Sequence, residues 1–255
     1  MKIICVMPIY QRPNITLATI DLLKKQTQPL YKIITIGSCK LDKLTAKKAG
    51  VEYLNYRNAP LSNKWQFGVT HAKKYNPDAI LINGSDSWLT TNWCEKMGKF
   101  IRDGYHLVGK TTWCQCRINP GKPLLILQRF QSMHREDPIG AGRLFSKSIL
   151  DAMNWRLFPS GLQSSLDGKS YKYMLAIARN KKIKIKIKIA NEIEDAILMG
   201  VKSNTWPSKH PFKLNFKKTD SKPDSIKIEN PKLWLKENFP GSIKIFRELV
   251  PGVKI

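Results

Sequence analysis

Acidic residues are scarce in this chain: 19 Asp and Glu stand against 44 Lys and Arg in 255 residues, a formal charge of +25. That balance implies attraction to polyanions, whether nucleic acid, anionic membrane or nucleotide substrates. Lysine dominates the excess and is dispersed among Ile and Asn, as biased codon usage produces, so the charge supports an anionic ligand and nothing finer. Long apolar runs are missing too. No stretch approaches the ~18 to 20 residues of a membrane-spanning helix. Met1–Tyr10 lacks the longer apolar region and cleavage site of a signal peptide and reads as a first strand. Glycine is absent from Tyr10-Gln-Arg-Pro-Asn14, directly after that strand, which argues against dinucleotide oxidoreductases and sugar-phosphate nucleotidyltransferases. No G-x-x-x-x-G-K-[ST] occurs, which argues against a P-loop enzyme. The cysteines are five, an odd number, and Cys114 and Cys116 have no second pair at zinc-site spacing. Free thiols in a reducing cytoplasm are the expectation, in solution or peripheral to a membrane surface.

What is present is an alternation. Apolar runs at Ile3–Ile9, Tyr31–Ser38, Val51–Tyr56 and Ala79–Asn83 read as strands. Amphipathic segments Ile15–Gln26 (capped by Asn14), Asp42–Ala49, Ser62–Lys74 and Thr91–Arg102 read as the helices between them. This is the βαβ signature of a mostly parallel sheet, an α/β fold. Right-handed crossovers bring the carboxyl ends of the four strands to one rim, where ligands bind in open sheets. The rim collects Tyr10, Arg12, Ser38 to Lys40, Arg57, Asn58 and Ser85 to Ser87.

After residue 104 the pattern changes. Tyr105–Arg117 and Leu124–Phe130 read as strands joined by a turn at Asn119–Pro123. A Gly-rich stretch, Asp137–Arg143, precedes a helix Lys147–Met153 capped by Ser146. Leu166–Asn180 reads as helix, and Lys181–Ile189 alternates Lys and Ile as a strand with a solvated face. From Lys202 the composition turns polar, with short helices at Pro231–Asn238 and Ser242–Leu249. We expect one domain over residues 1–200, in two halves, 1–104 and 105–200. Residues 201–255 form a basic extension packing on it.

The segment Ala79-Ile-Leu-Ile-Asn-Gly-Ser-Asp-Ser-Trp88 is the most informative. A buried strand ends abruptly and delivers Asp86 to the rim. A carboxylate there can hold a divalent cation, and the cation a diphosphate. Equally, Ser85, Asp86 or Ser87 can cap a following helix.

Taken in order, Met7-Pro-Ile-Tyr-Gln-Arg12, Ser85-Asp86-Ser87, Gly140-Ala-Gly-Arg143 and Leu166-Asp-Gly168 resemble a GT-A glycosyltransferase, most similar to the inverting family 2 type, over roughly residues 1–190. The resemblance implies a GT-A (Rossmann-like), mostly parallel central sheet flanked by helices, with a polar C-terminal extension. It implies transfer from a nucleotide sugar, a UDP- or GDP-sugar, onto a glycan or other hydroxyl acceptor, assisted by Mn²⁺ or Mg²⁺. Two departures stand out. The turn after the second strand reads Gly37-Ser38-Cys39, where the family carries an acid that bonds the nucleobase. The Asp-x-Asp metal motif reads Gly84-Ser85-Asp86.

By resemblance, Tyr10 packs on the base, and Pro8 and Arg12 shape the donor pocket; the alternative is that Tyr10 and Arg12 merely end a strand. Ser85 and Asp86 face the donor, Asp86 as metal ligand, and His210 in the polar tail completes the metal site or is simply solvated. Lys64 and Lys202 are candidate point charges for the diphosphate, or solvated lysines. Inversion needs a general base, and Asp167 matches the family's late-helix Asp; its plain role is a helix cap. Asp137 and Glu136 are the fallback bases. For the acceptor, Trp113, His134, Arg143 and Trp155 are candidates, since aromatic faces suit sugar C–H surfaces, although such tryptophans also build cores. The rival readings are a non-catalytic GT-A-like module and a basic nucleic-acid-binding protein.

Overall fold

Apolar β-branched runs with no polar alternation form strands buried on both faces, and the first strand is the clearest case. In a computed structural model, which describes residues 1–118, 125–131, 136–192, 197–199 and 225–249, β1 (Ile3–Pro8) is the centre of a larger sheet. It pairs in parallel with β2 (Lys32–Gly37) on one side and β4 (Ala79–Ile82) on the other, and β2 pairs in parallel with β3 (Glu52–Asn55). The helices α1 (Pro13–Lys24), α2 (Lys40–Lys48) and α3 (Leu61–Ala72) are the crossovers. Beyond β4 the sheet continues antiparallel through β9 (Arg143–Ser146), then β6 (Leu107–Gly109) and β10 (Ile187–Ile189).

Two helices lie at the ends of β9 and beyond it. The helix α5 (Lys147–Ala152) starts at Ser146, whose hydroxyl accepts from the Ile149 amide. The helix α6 (Leu166–Asn180) spans the range the periodicity predicts. The helix α4 (Trp93–Arg102) packs against β6 and β9 and buries Trp93, Cys94 and Met97.

A second sheet, of order β12-β8-β7-β11-β5, is built from β5 (Ser87–Leu89), β7 (Thr112–Ile118), β8 (Leu125–Gln131), β11 (Ile197–Met199) and β12 (Ser225–Lys227). Its helices α7 (Pro231–Asn238) and α8 (Ser242–Leu249) keep their predicted ranges; Asn230 caps α7 by accepting from the Leu233 amide. Phe239 and Phe246 are buried against Trp88, with ring centroids 6.1 and 5.2 Å apart. The α1 residues Ile15, Ala18 and Leu22, at helical spacing, line the same cluster. So α1 buries one stripe on the sheet and another on the C-terminal helices.

Several sequence expectations are corrected. Ser85 to Ser87 cap no helix: Ser87–Leu89 is a strand paired antiparallel with β11, because Trp88 has an apolar cluster to enter. Asn14 caps nothing either; α1 begins at Pro13 without a side-chain cap. Tyr105–Arg117 is two strands in different sheets. The chain leaves the first sheet at Lys110, whose carbonyl accepts from Ile139, and enters the second after Thr111, whose amide donates to Asn191 Oδ1. Only Ile187–Ile189 of the Lys/Ile repeat is strand, since Lys181 to Ile183 complete the last turn of α6. The turn at 119–123 lies outside the described residues. No helix among the described residues is long and apolar enough to cross a membrane, and Cys5, Cys39, Cys94 and Cys114 are free thiols.

Truncating Phe246 removes a fully buried ring that joins α8 to Trp88. Phe246→Ala is expected to lower the unfolding free energy by about 3 to 5 kcal/mol in one cooperative transition. A urea titration checks this; an early melt of the C-terminal helices alone, with the main transition unmoved, contradicts it.

Candidate active site

The site starts from a register. Val6 lies opposite Ile82 in the parallel β1–β4 pair, so the segments leaving both strands emerge side by side. Arg12 and Asp86, distant in sequence, meet there: Arg12 Nη1 donates to Asp86 Oδ2 at 2.9 Å, and Nη2 donates to Ser85 Oγ at 3.1 Å. The turn that carries Asp86 is tied down from beneath. Thr19 on α1 donates to the Ser85 carbonyl at 2.9 Å, and buried Asn83 donates to the Ser87 carbonyl at 2.8 Å. Thr19 does not stand out in the sequence, because its partner is set by tertiary pairing, while Asn83 bonds within its own turn. Tyr10, between Pro8 and Arg12, is 41% exposed at this rim.

Lys64 is not a solvated helix lysine. It is fully buried, and its Nζ donates to the Ile9 carbonyl at 2.7 Å and to Asn58 Oδ1 at 2.9 Å, with the Tyr10 ring centroid 5.7 Å away. It fastens α3 to the end of β1. Burial pulls its pKa down to about 8, against the opposing pull of Asp42 and Cys39.

Sequence reasoning missed Asp42. The turn after β2 lacks an acid in its first positions, yet the first turn of α2 folds Asp42 back to that place. Its carboxylate accepts from the Gln11 amide at 2.8 Å and the Ser38 amide at 2.9 Å. Gly37 makes this possible: a Cβ there would sit 2.4 Å from Asp42 Cβ. Both oxygens of Asp42 are thus on backbone, joining the loops after β1 and β2. The signal available in the sequence was an Asp in a helix first turn beside a glycine.

The second arm of the rim comes from β9. Its antiparallel register sets Arg143 opposite Ile82, and the Gly142 amide donates to the Ile82 carbonyl at 2.9 Å. The Gly-rich turn therefore sits at the carboxyl end of β4, next to the Asp86 turn. Asp167, in the first turn of α6, reaches it: Oδ2 accepts from the Gly140 amide at 2.9 Å, while the side chain stays 58% exposed. A Cβ at Gly140 would lie 2.1 Å from Asp167 Oδ1, so a larger residue there would push the carboxylate from this position. Arg143 is buried beneath. It donates to the Ile139 carbonyl at 2.8 Å and the Asp167 carbonyl at 3.1 Å, with Nη2 3.7 Å from Asp137 and 3.9 Å from Asp167. Burial pulls its pKa down, opposed by the two carboxylates.

Of the acceptor candidates, Arg143 faces inward rather than a ligand. Trp113 stacks on Phe130 with centroids 5.7 Å apart in the second sheet, and Trp155 is core, donating to Asp151. His134, Lys202 and His210 lie outside the described residues.

Mg²⁺ and Mn²⁺ at a diphosphate take one or two protein carboxylates, with phosphate and water oxygens completing the set. At the ends of β1 and β4 the described residues offer Asp86, one of whose oxygens is on the Arg12 guanidinium, and no three His, Cys, Asp or Glu side chains gather at one point among the described residues.

Neither a protein-family model nor a curated protein sequence matches the chain. Solved structures do match in fold. S. aureus TarS, as its 1–349 fragment, superposes with a TM-score of 0.52 at 14% identity, covering 78% of this chain and 60% of that one. The mannosyltransferase PcManGT from Pyrobaculum calidifontis, in complex with GDP-Man and Mn²⁺, superposes at 0.53 and 11% identity, covering 80% and 58%. TarS 1–349 in complex with UDP gives 0.50 and 14%, covering 74% and 57%. The fold is that of the GT-A glycosyltransferases. In GT-A terms the chain spans about three-fifths of each neighbour's length, as the coverages of 60%, 58% and 57% show.

The Lys64 geometry carries a pH signature. Between about pH 8 and the ordinary lysine value of 10.5, the unfolded chain holds a proton that the folded chain has released. Stability therefore rises with pH through that window relative to a variant without the amine. Urea unfolding of wild type and Lys64→Met at about pH 7.5 and about pH 9.5 measures it. The wild type is expected to gain on the variant at the higher pH; parallel behaviour refutes the buried amine.

Proposed function

We propose that this chain transfers a sugar from a nucleotide-sugar donor to a hydroxyl of a glycan or similar acceptor, with inversion. The observation that carries the reading is the convergence at one β4 end of Arg12, Ser85 and Asp86 on one side and an exposed, oriented Asp167 on the other. The neighbours' bound molecules, GDP-Man and UDP, support a UDP- or GDP-linked donor. The sequence-based assignment of Mn²⁺ or Mg²⁺ to Asp86 and His210 does not enter the proposal: Asp86 Oδ2 is engaged by Arg12, and His210 is outside the described residues.

The chemistry needs a base, a held leaving group and a held donor. Asp167 is the base. Its Gly140 hydrogen bond fixes Oδ2, which leaves the exposed carboxylate to accept the acceptor's hydroxyl proton. Asp137, the fallback, is more enclosed at 16% exposure, and Arg143 acts as a positioning residue that holds the Ile139 and Asp167 carbonyls and lies between the Asp137 and Asp167 carboxylates. The acceptor oxygen forms its bond to the anomeric carbon as the bond from that carbon to the diphosphate breaks. Tyr10 supplies an exposed ring for the base, and Lys64 holds the Ile9 carbonyl beneath it. Among the acceptor candidates, Trp113 is partly buried, on the middle strand of the second sheet.

Two measurements test the function. A calorimetric panel of UDP, GDP, CMP and dTDP sugars is expected to return binding for one nucleotide class. Asp167→Asn is expected to keep that affinity and lose transfer by roughly 10²- to 10⁴-fold. Near-normal turnover in Asp167→Asn removes it as base. Silence across the panel, with salt-sensitive binding to RNA or DNA instead, favours the nucleic-acid reading.

A further inference from the structure

We propose that the groove between the outer face of α3 and the 155–161 loop is a second saccharide site, and that it holds a neutral sugar of the acceptor chain beside the transfer site. That the sugar belongs to an acceptor rests on the glycosyltransferase reading above; the site itself does not. The groove begins with a helical repeat. Asn63, Gln66, Phe67 and Thr70 recur at i, i+3, i+4 and i+7, so they share one face of α3. The buried side of the same helix carries Lys64, Gly68, Val69 and Ala72. Lys64 reaches the Ile9 carbonyl from there, and Tyr56, just after β3, donates its amide to the Gly37 carbonyl at 2.8 Å. The groove therefore flanks the rim and does not lie at the far end of the sheet. Its volume is about 320 Å³, at the small end of ligand clefts.

Two side-chain amides fasten the loop to the helix. Gln66 Oε1 accepts from the Leu157 and Phe158 amides at 2.9 and 3.0 Å, and its Nε2 donates to the Trp155 carbonyl at 2.6 Å and the Thr70 hydroxyl at 2.9 Å. Asn63 Oδ1 accepts from the Ser160 hydroxyl at 3.1 Å and the Gly161 amide at 3.0 Å. These bonds engage both ends of the Gln66 amide but only the oxygen of Asn63. Asn63 Nδ2 takes no partner among the described residues and is left as a donor at the groove. Aromatic rings form the walls. Phe67, 39% exposed, stacks on Tyr56 with centroids 4.8 Å apart, and Phe158 stacks on Trp65 at 5.6 Å. Stacking fixes the Phe67 ring while much of it stays open to solvent.

These features select one ligand chemistry. A phosphate or carboxylate calls for cations, yet every residue lining the groove is uncharged, in a chain of formal charge +25. A purely apolar ligand would desolvate the Asn63 amide without giving it a partner. A neutral sugar matches both properties: its C–H face lies on an aromatic ring, and its hydroxyls accept from Asn63 and exchange hydrogen bonds with Thr70 and Ser160. The fastened loop lowers the ordering cost of binding.

Calorimetry with maltotriose, cellotriose and triacetylchitotriose, each at low and at high salt, tests this. At least one trisaccharide is expected to bind, with an affinity that salt does not change. Phe67→Ala is expected to weaken it roughly tenfold through the lost ring. Asn63→Asp keeps an oxygen for Ser160 and Gly161, removes the free donor, and is expected to weaken it roughly fivefold or more. Neither variant is expected to change the affinity for UDP or GDP. Circular dichroism checks that both fold; if Asn63→Asp does not, Phe67→Ala, at an exposed position, decides alone. Silence of all three trisaccharides, or binding that Phe67→Ala leaves unchanged, overturns the proposal. So does a wild-type dimer, seen by analytical ultracentrifugation, that Phe67→Ala dissolves, because a second copy then fills the groove. UDP or GDP binding alongside that silence leaves the glycosyltransferase reading standing. Groove-dependent trisaccharide binding with no UDP or GDP binding overturns that reading and leaves the saccharide site standing.

Discussion

The parallel pairing of β1 with β4 is the constraint on which the rest depends. Its register, Cys5 opposite Leu81 and Val6 opposite Ile82, fixes where each chain leaves the sheet. A slip of one residue would turn every side chain of one strand to the other face and part Arg12 from Asp86. The core enforces this register: Ile3 to Met7 and Ala79 to Leu81 are without solvent exposure, so a slip would mispack two buried faces. The Arg12–Asp86 pair is then a consequence of strand pairing and not its cause.

Around that constraint the molecule adds clasps of one kind, side chains that bind the backbone of a neighbouring loop. Asp42 ties the loop after β1 to the end of β2, Lys64 ties α3 to Ile9, Thr19 ties α1 to Ser85, and Arg143 ties the Gly-rich turn to the start of α6. Buried ionic groups are tolerated here because each meets carbonyls, amides or an opposite charge. Their shared effect is to hold irregular segments still at the one rim where chemistry is proposed, which leaves Asp167, Tyr10 and the Arg12 fork as the groups that face outward.

Much of this was legible in the sequence wherever local chemistry decides. The span Leu166–Asn180 and the helices Pro231–Asn238 and Ser242–Leu249 follow from periodicity and caps, and β1 to β4 from short apolar runs. What escaped depends on distant partners. Ser87–Leu89 reads as a helix start until β11 pairs with it, and the second sheet joins segments from both halves of the chain. Lys64 escaped because periodicity places an amphipathic lysine at the surface, whereas its Nζ finds the Ile9 carbonyl inside. Asp42 escaped because the missing acid was sought immediately after the strand and is instead returned there by one helical turn. The metal expectation came from a motif, and in the structure one oxygen of the motif's remaining carboxylate is engaged by Arg12, the residue before α1.

The central claim is spatial: one rim, at the ends of β1 and β4, receives a nucleoside diphosphate. A crystal structure of the full chain grown with UDP or GDP tests it most directly. The account predicts the base against Tyr10 and the diphosphate oxygens on Arg12 at the start of α1. A diphosphate bound elsewhere on the molecule, with the Arg12–Asp86 pair untouched, would contradict it.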